Sequence, residues 1–262
     1  MNTPFQVSTV FFMIVLSVLL FACSTPTASK WGPQHVTPGA RLTLQEVRRT
    51  TIQDMSAVTY RVRVSGVPQG PSLSLWASKL KSDPVPVAHL AFFVDEAGRL
   101  LVQGPPIEIA MPAGSSINLP EHGKEFVFNA IGFARGEMFE VGLMDSRLQI
   151  LAFARVIPFP IEVRGEGGCR LWVELASYGG DLFNIRGEGF ESNEKLITES
   201  RRGGEIKRED RRATADGRFS STVMPAVLGL ATGQAAYNVV SQFCNLTVHY
   251  NWGTDAMRVA QD

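Results

Sequence analysis

The sequence predicts an all-β protein: two tandem β-sandwich domains that follow a signal peptide and a flexible tether. Three observations carry this reading. Short segments alternate apolar and polar residues with a period of two, as half-buried strands do. Gly, Pro, Asn and Asp separate these segments at intervals of roughly ten residues, the spacing of β-sandwiches. No stretch sustains an amphipathic helical pattern over three turns. Apolar residues make up 45% of the 262, ample for packed cores, so the globular part folds.

The elements follow in chain order. Residues 1–22 contain an apolar run from Val10 to Ala22 with one Ser in it, too short to span a bilayer, which needs about 20 residues. The run reads as the h-region of a signal peptide. Residues 23–40, "CSTPTASKWGPQHVTPGA", are rich in Ser, Thr, Pro and Gly without apolar period and read as a tether. Residues 41–160 form the first sandwich. In "VTYRVRVSG" Val58, Tyr60, Val62 and Val64 share one face, Leu73 and Leu75 share a face in "PSLSLW", and "HLAFFVDEAGRLLVQG" reads as two strands around an acidic, Gly-containing turn. "KEFVFNAIGF", "MFEVGLMDS" and "QILAFARV" continue the series. The boundary falls near "VIPFPIEVRGEGG", where prolines and glycines cluster. Residues 161–254 form the second sandwich, with strands in "CRLWVEL", "DLFNIRGEGF", "EKLITES", "DGRFSSTV", "AAYNVVSQ" and "CNLTVHYNWG", and residues 255–262 are a tail.

Two resemblances add to this. The residues Leu20, Phe21, Ala22 and Cys23 resemble the bacterial lipobox, with an aliphatic residue at −3 and a small one at −1 before the cysteine. The match departs from the pattern in the bulk of Phe21 and in an n-region without Lys or Arg. The resemblance implies that Cys23 is lipidated and begins the mature chain, which is then anchored to the membrane by its acyl chains. The alternative is an unmodified cysteine after the leader. By the sorting rule of Gram-negative lipoproteins, Ser24 implies a bacterial cell-envelope protein held at the outer membrane. In the second half, "FNIRGEGFESNEKL" and "TADGRFSSTV" resemble the Ig-like β-sandwich modules of bacterial surface and periplasmic proteins. Gly187, Gly189, Phe190, Asn193, Glu194, Ala215, Asp216, Gly217 and Phe219 carry the likeness. Asp216-Gly217 supplies the positive φ of a tight hairpin turn, and Phe190 and Phe219 anchor the core.

The chemistry-bearing residues point away from catalysis. With 25 basic and 25 acidic residues there is no electrostatic case for a nucleic-acid partner. The four histidines, His35, His89, His122 and His249, have no Cys or second His at ligand spacing, so no metal and no cofactor is expected. "IRGEGF" lacks the third glycine of a dinucleotide fingerprint, and there is no Gly-x-Ser-x-Gly elbow. No catalytic residue is assigned. The stretch Glu191–Arg218 holds seven acids and eight bases and reads as a solvated hairpin, or else as a polar contact surface. Trp31, Trp76, Trp172 and Trp252 are scattered, which argues against an aromatic sugar platform; of these Trp252 is the one expected near the surface.

With Cys23 assigned to lipid, Cys169 and Cys244 remain, a pair exported to an oxidising compartment and expected to be bridged; two separate buried thiols are the alternative. Cys244 shares the face of Leu246, Val248 and Tyr250, the expected core face. Two function classes follow. One is a lipid-anchored, non-enzymatic envelope protein that binds or scaffolds, with an envelope protein or a glycan as partner. The other is an envelope hydrolase of cell-wall polymer or glycan with its site at the junction of the halves. Convergent His, Asp, Glu or Ser side chains in a junction pocket favour the enzyme, and a polar junction without them favours the binding module.

Overall fold

A computed structural model describes residues 31–69, 72–80, 84–87, 91–104, 108–110, 116–118 and 122–261. The predicted all-β architecture is what it shows: nineteen strands and one 3-10 turn, Pro33–His35, among the described residues. The signal peptide and Cys23 lie outside the described residues.

In the first half, β1 (Arg41–Ile52), β2 (Met55–Ser65) and β9 (Val127–Ile131) form one antiparallel sheet. A second is ordered β11 (Ile150–Val156), β10 (Phe139–Met144), β3 (Ser74–Lys79), β4 (Val85–Pro86). The hairpin β5 (Ala91–Val94) and β6 (Leu100–Gln103) bridges the two, since Phe92 pairs with Leu73 beside β3 and Arg99 with Arg63 of β2. A small hairpin joins β7 (Glu108–Ala110) to β8 (Ser116–Asn118). The alternation in β2 places Val58, Tyr60, Val62 and Val64 in the core, where they meet Leu73, Leu75, Phe92 and Leu143. Thr59, on the opposite face, is buried as well, and its hydroxyl donates to Asn129 Oδ1 at 2.6 Å.

In the second half, β12 (Ile161–Arg164), β13 (Arg170–Leu175), β14 (Phe183–Glu188) and β17 (Phe219–Val223) form one sheet in that order. The facing sheet is ordered β16 (Glu205–Arg212), β15 (Lys195–Arg202), β18 (Thr232–Val240), β19 (Asn245–Gly253). With β13, β14 and β17 as strands A, B and E, and β16, β15, β18 and β19 as C′, C, F and G, this is the strand order of an Ig-type sandwich, with β12 added outside A. Phe183 is fully buried with its ring 4.9 Å from that of Tyr250, and Phe190 and Phe219 close the core as expected. Burying each such ring contributes about 2–3 kcal/mol before entropy is counted.

Four details differ from the sequence reading. Asp216-Gly217 is a tight turn, with Gly217 at φ 71°, but it leads from β16 to β17 in the opposite sheet and so is not a hairpin. Trp252 is buried, its ring against Gly233, where a side chain would collide with it. Residues 31–40, read as tether, lie along the first half: the Trp31 indole covers Gly142, and its N–H donates to Glu140 at 3.1 Å. Residues 254–261 are not a free tail. Val259 bridges Ala134, the Ala260 N–H donates to Phe133 O at 2.9 Å, and Ala260 O accepts from Ser56 N at 3.2 Å.

The halves therefore exchange side chains. Ala260 belongs to the first core, whose other buried members run from Leu42 to Phe159, while Leu80 and Ala134 of the first half belong to the second core. Between them, Glu137 pairs in parallel with Leu175, and Leu175 N donates to Gly136 O at 2.8 Å.

Candidate functional site

Two concave regions deserve comparison, one at the junction and one at the open edge of the second sandwich. The junction cleft, about 580 Å³, is lined by Arg135, Glu162, His249, Asp255 and Arg258, among others. Its carboxylates are already committed. Asp255 accepts from Arg258 at 2.7 Å, and Glu162 accepts from Arg164 at 3.2 Å and from Arg170. Partial burial raises the Glu162 pKa, but Arg170 and Arg164 outweigh this and hold it below the ordinary value, so the group stays ionised. His249 stands on the exposed face of β19. Among the described residues no side-chain hydrogen bond links it to either carboxylate, so the cleft presents no base held by an orienting partner.

A buried carboxyl does lie at the junction, outside the cleft lining. Glu137 accepts from the Ala134 N–H at 2.9 Å and lies 3.5 Å from Lys79 Nζ. Desolvation raises its pKa, against the lowering pull of Ala134 and Lys79. Lys79 also donates to Gly132 O at 2.8 Å and sits 4.3 Å from the centroid of Phe133, while Tyr178 donates its hydroxyl to Lys79 O across the junction at 3.0 Å. These contacts tie the two halves together.

The second region is a groove of about 600 Å³ between the edge strands β16 and β17. Period two sets its chemistry: Glu205, Lys207, Glu209 and Arg211 alternate onto the wall, because β16 extends past the core. Thr222 and Val223 of β17 face them, and Tyr237 and Tyr250 line the floor. Burial, with Tyr237 beside it, raises the Tyr250 pKa far above the ordinary value, so this phenol remains a neutral donor. Hydrogen bonds from Lys207 and Arg211 keep Glu209 ionised, and Lys207 Nζ lies 2.5 Å from Glu209. At the groove mouth Arg202 donates to Met224 O at 2.5 Å, and Val227 packs on the turn glycine Gly203. This fixes a loop whose Met224, Leu228 and Leu230 are exposed, with Ile206 exposed beside it. The arrangement offers matched charges, phenolic donors and an apolar rim, the ingredients of a contact surface.

The sequence-predicted residues fall as follows. Cys169 and Cys244 are joined in a disulfide, with Cα atoms 6.6 Å apart, within the usual range. Because β12 precedes β13, the bridge ties the second strand of this half to the last strand β19. His122 accepts from Gly104 N, His35 lies in the 3-10 turn, and His89 is outside the described residues. No group of three or more His, Cys, Asp or Glu able to hold a metal occurs among the described residues. The tryptophans do not line up: Trp76 donates to Ser74 and Trp172 to Glu174, in different sheets. The groove itself was not legible. Its one available signal is Ile206 inside a charged strand, followed by the apolar loop "MPAVLGL".

No protein-family model matches the chain, and no curated protein does. Among solved structures, a tetra-tandem repeat from the extending region of a large adhesion protein overlaps 83% of this chain and 74% of its own, at 10% identity and a TM-score of 0.24. Red sea bream transglutaminase overlaps 81% of this chain and 31% of its own, at 10% identity and the same TM-score of 0.24. At such values the fold assignment rests on the protein's own strand order.

Proposed function

We propose that the protein is a lipid-anchored, non-enzymatic component of the bacterial cell envelope that binds a partner protein through its second sandwich. The observation that supports binding is the edge groove, where every wall carboxylate has a basic partner and exposed Ile206 and Met224 line the opening, with Leu228 and Leu230 exposed on the loop that Met224 begins. An envelope hydrolase needs a free acid or base in the cleft, and both carboxylates lining it, Glu162 and Asp255, are held by guanidinium groups. Anchoring rests on the lipobox-like residues before Cys23, and the first half carries the incoming chain at Trp31, leaving the second half to meet the partner.

The test has two arms. Cys23→Ser should move the chain from a detergent-requiring fraction to the soluble one or leave an unprocessed precursor. Unmodified residues upstream of Cys23 at the native N-terminus, seen by mass spectrometry, would overturn the anchor. A photocrosslinker at position 228 should give a discrete adduct in membranes that Met224→Asp removes, with position 148, exposed in the first half, as control. Equal adducts at both positions, or hydrolysis of wall polymer or glycan abolished by one side-chain substitution, would overturn the binding reading.

A further inference from the structure

β16 is an unusual edge. It pairs only with β15 among the described residues, and seven of its eight residues are exposed. The hairpin turns through Gly203 and Gly204, at φ 48° and 85°, with Arg202 opposite Glu205. A two-residue turn of this kind closes on a hydrogen-bonded pair. Glu205, Lys207, Glu209 and Arg211 therefore bond to β15, and Ile206, Arg208 and Asp210 turn their N–H and C=O groups outward. Charge on an edge ordinarily guards against further pairing. Here the order of the charges says more.

We infer that β16 is a dimerisation strand that pairs antiparallel with β16 of a second copy, about a twofold axis at Arg208, making one continuous eight-stranded sheet. A twofold axis normal to a sheet requires opposed residues to lie on the same face, so the pairing must centre on a residue. Centred on Arg208, Glu205 of one copy stands opposite Arg211 of the other, and Lys207 opposite Glu209, each twice by symmetry. All four residues of the groove-side face then meet opposite charge. On the other face Ile206 lies opposite Asp210, and Arg208, which meets its own copy, has Asp210 of the other chain as diagonal neighbour. Moving the centre one residue breaks the pattern. Centred on Lys207, Glu205 faces Glu209; centred on Glu209, Lys207 faces Arg211. The outward-facing residues fit as well: Ile206, Arg208 and Asp210 are the ones that pair through hydrogen bonds in this register, about six in all. The inference stands on β16 alone and does not depend on the membrane anchor or on a partner in the groove.

The register makes a position-specific test possible in the purified full chain. In a hydrogen-bonded antiparallel pair the Cα atoms lie about 5.5 Å apart, which a disulfide can span. Arg208→Cys should therefore give a crosslinked dimer on mild oxidation. Glu205→Cys should not, because in this register its two copies are separated by about 20 Å. Added to Arg208→Cys, Lys207→Glu replaces two attractive contacts by two repulsive ones and should weaken association at least about tenfold. The further exchange Glu209→Lys should restore it. Circular dichroism of each variant reports that the exposed substitutions leave the fold intact. Crosslinking that is no faster with Arg208→Cys than with Glu205→Cys, or a charge exchange that fails to restore it, would overturn the inference.

Discussion

The disulfide is worth following to a number. Cys169 precedes β13 and Cys244 precedes β19, with a sequence separation of 75. Closing a loop of that length removes unfolded-state freedom worth about 4.5 kcal/mol in the chain-entropy estimate, an upper figure because strain subtracts from it. Both cysteines are buried, packed near Gly165 and Leu246, and replacing the pair by Ala leaves no polar atom unpaired. Cys169→Ala/Cys244→Ala should therefore lose about 2–4.5 kcal/mol. At a urea dependence of about 1–1.5 kcal/mol per molar for a unit of this size, the midpoint of the second half falls by roughly 1.3–4.5 M. Both transitions have to be followed, because the protein has two cores and one curve does not report them together. Trp172 and Trp252 report the second, and Trp31 and Trp76 the first, so fluorescence of variants retaining one pair separates them. A loss below about 1 kcal/mol in the second half would refute the loop-closure reasoning.

Two further outcomes follow from the packing. Native Glu137 holds its proton more tightly than the unfolded carboxyl, so its contribution is fully present below the unfolded value of 4.5 and lost as pH rises through the folded one. Glu137→Gln keeps an acceptor for Ala134 N–H without the buried charge; its stability relative to the parent should rise with pH above about 4.5 and then level off, and a falling difference in urea titrations refutes this. Gly217→Ala places a Cβ 2.2 Å from Phe190 O at φ 71° and should cost at least about 2 kcal/mol, against about 1 for Gly204→Ala in open space; thermal melts giving equal losses would contradict it.

Strands were legible where burial is one-sided. β13 and β19 bury alternate residues, as do β2 over residues 60–64 and β3 over residues 74–77, and their apolar positions can be read directly. β1 was not read as a strand, because it is mostly exposed and a bulge between Glu46 and Arg48 reverses its alternation after Leu44. The connection after Asp216-Gly217 is not legible locally, because a tight turn has the same local chemistry whether it returns to the same sheet or crosses to the other. The burial of Trp252, against expectation, depends on Gly233 across the ladder, a pairing no local pattern reveals. The disulfide was legible from the count of cysteines and the face of Cys244. The groove was not, since β16 and β17 meet only through the crossing of the two sheets.

The exchange of side chains between the cores carries a consequence for the order in which the chain is made. A ribosome or a translocon delivers residues from the N-terminus. Leu42 through Phe159 can collapse early, but the gap beside Phe133 and Ser56 is filled by Ala260, and residues 160–259 must emerge first. Leu80 and Ala134 belong to the second core, so they have no cover until the second sandwich forms over them. Maturation of the first half is thus timed by the second, and a nascent chain stalled near the boundary exposes both an unfilled core and an uncovered apolar edge to whatever chaperone attends it.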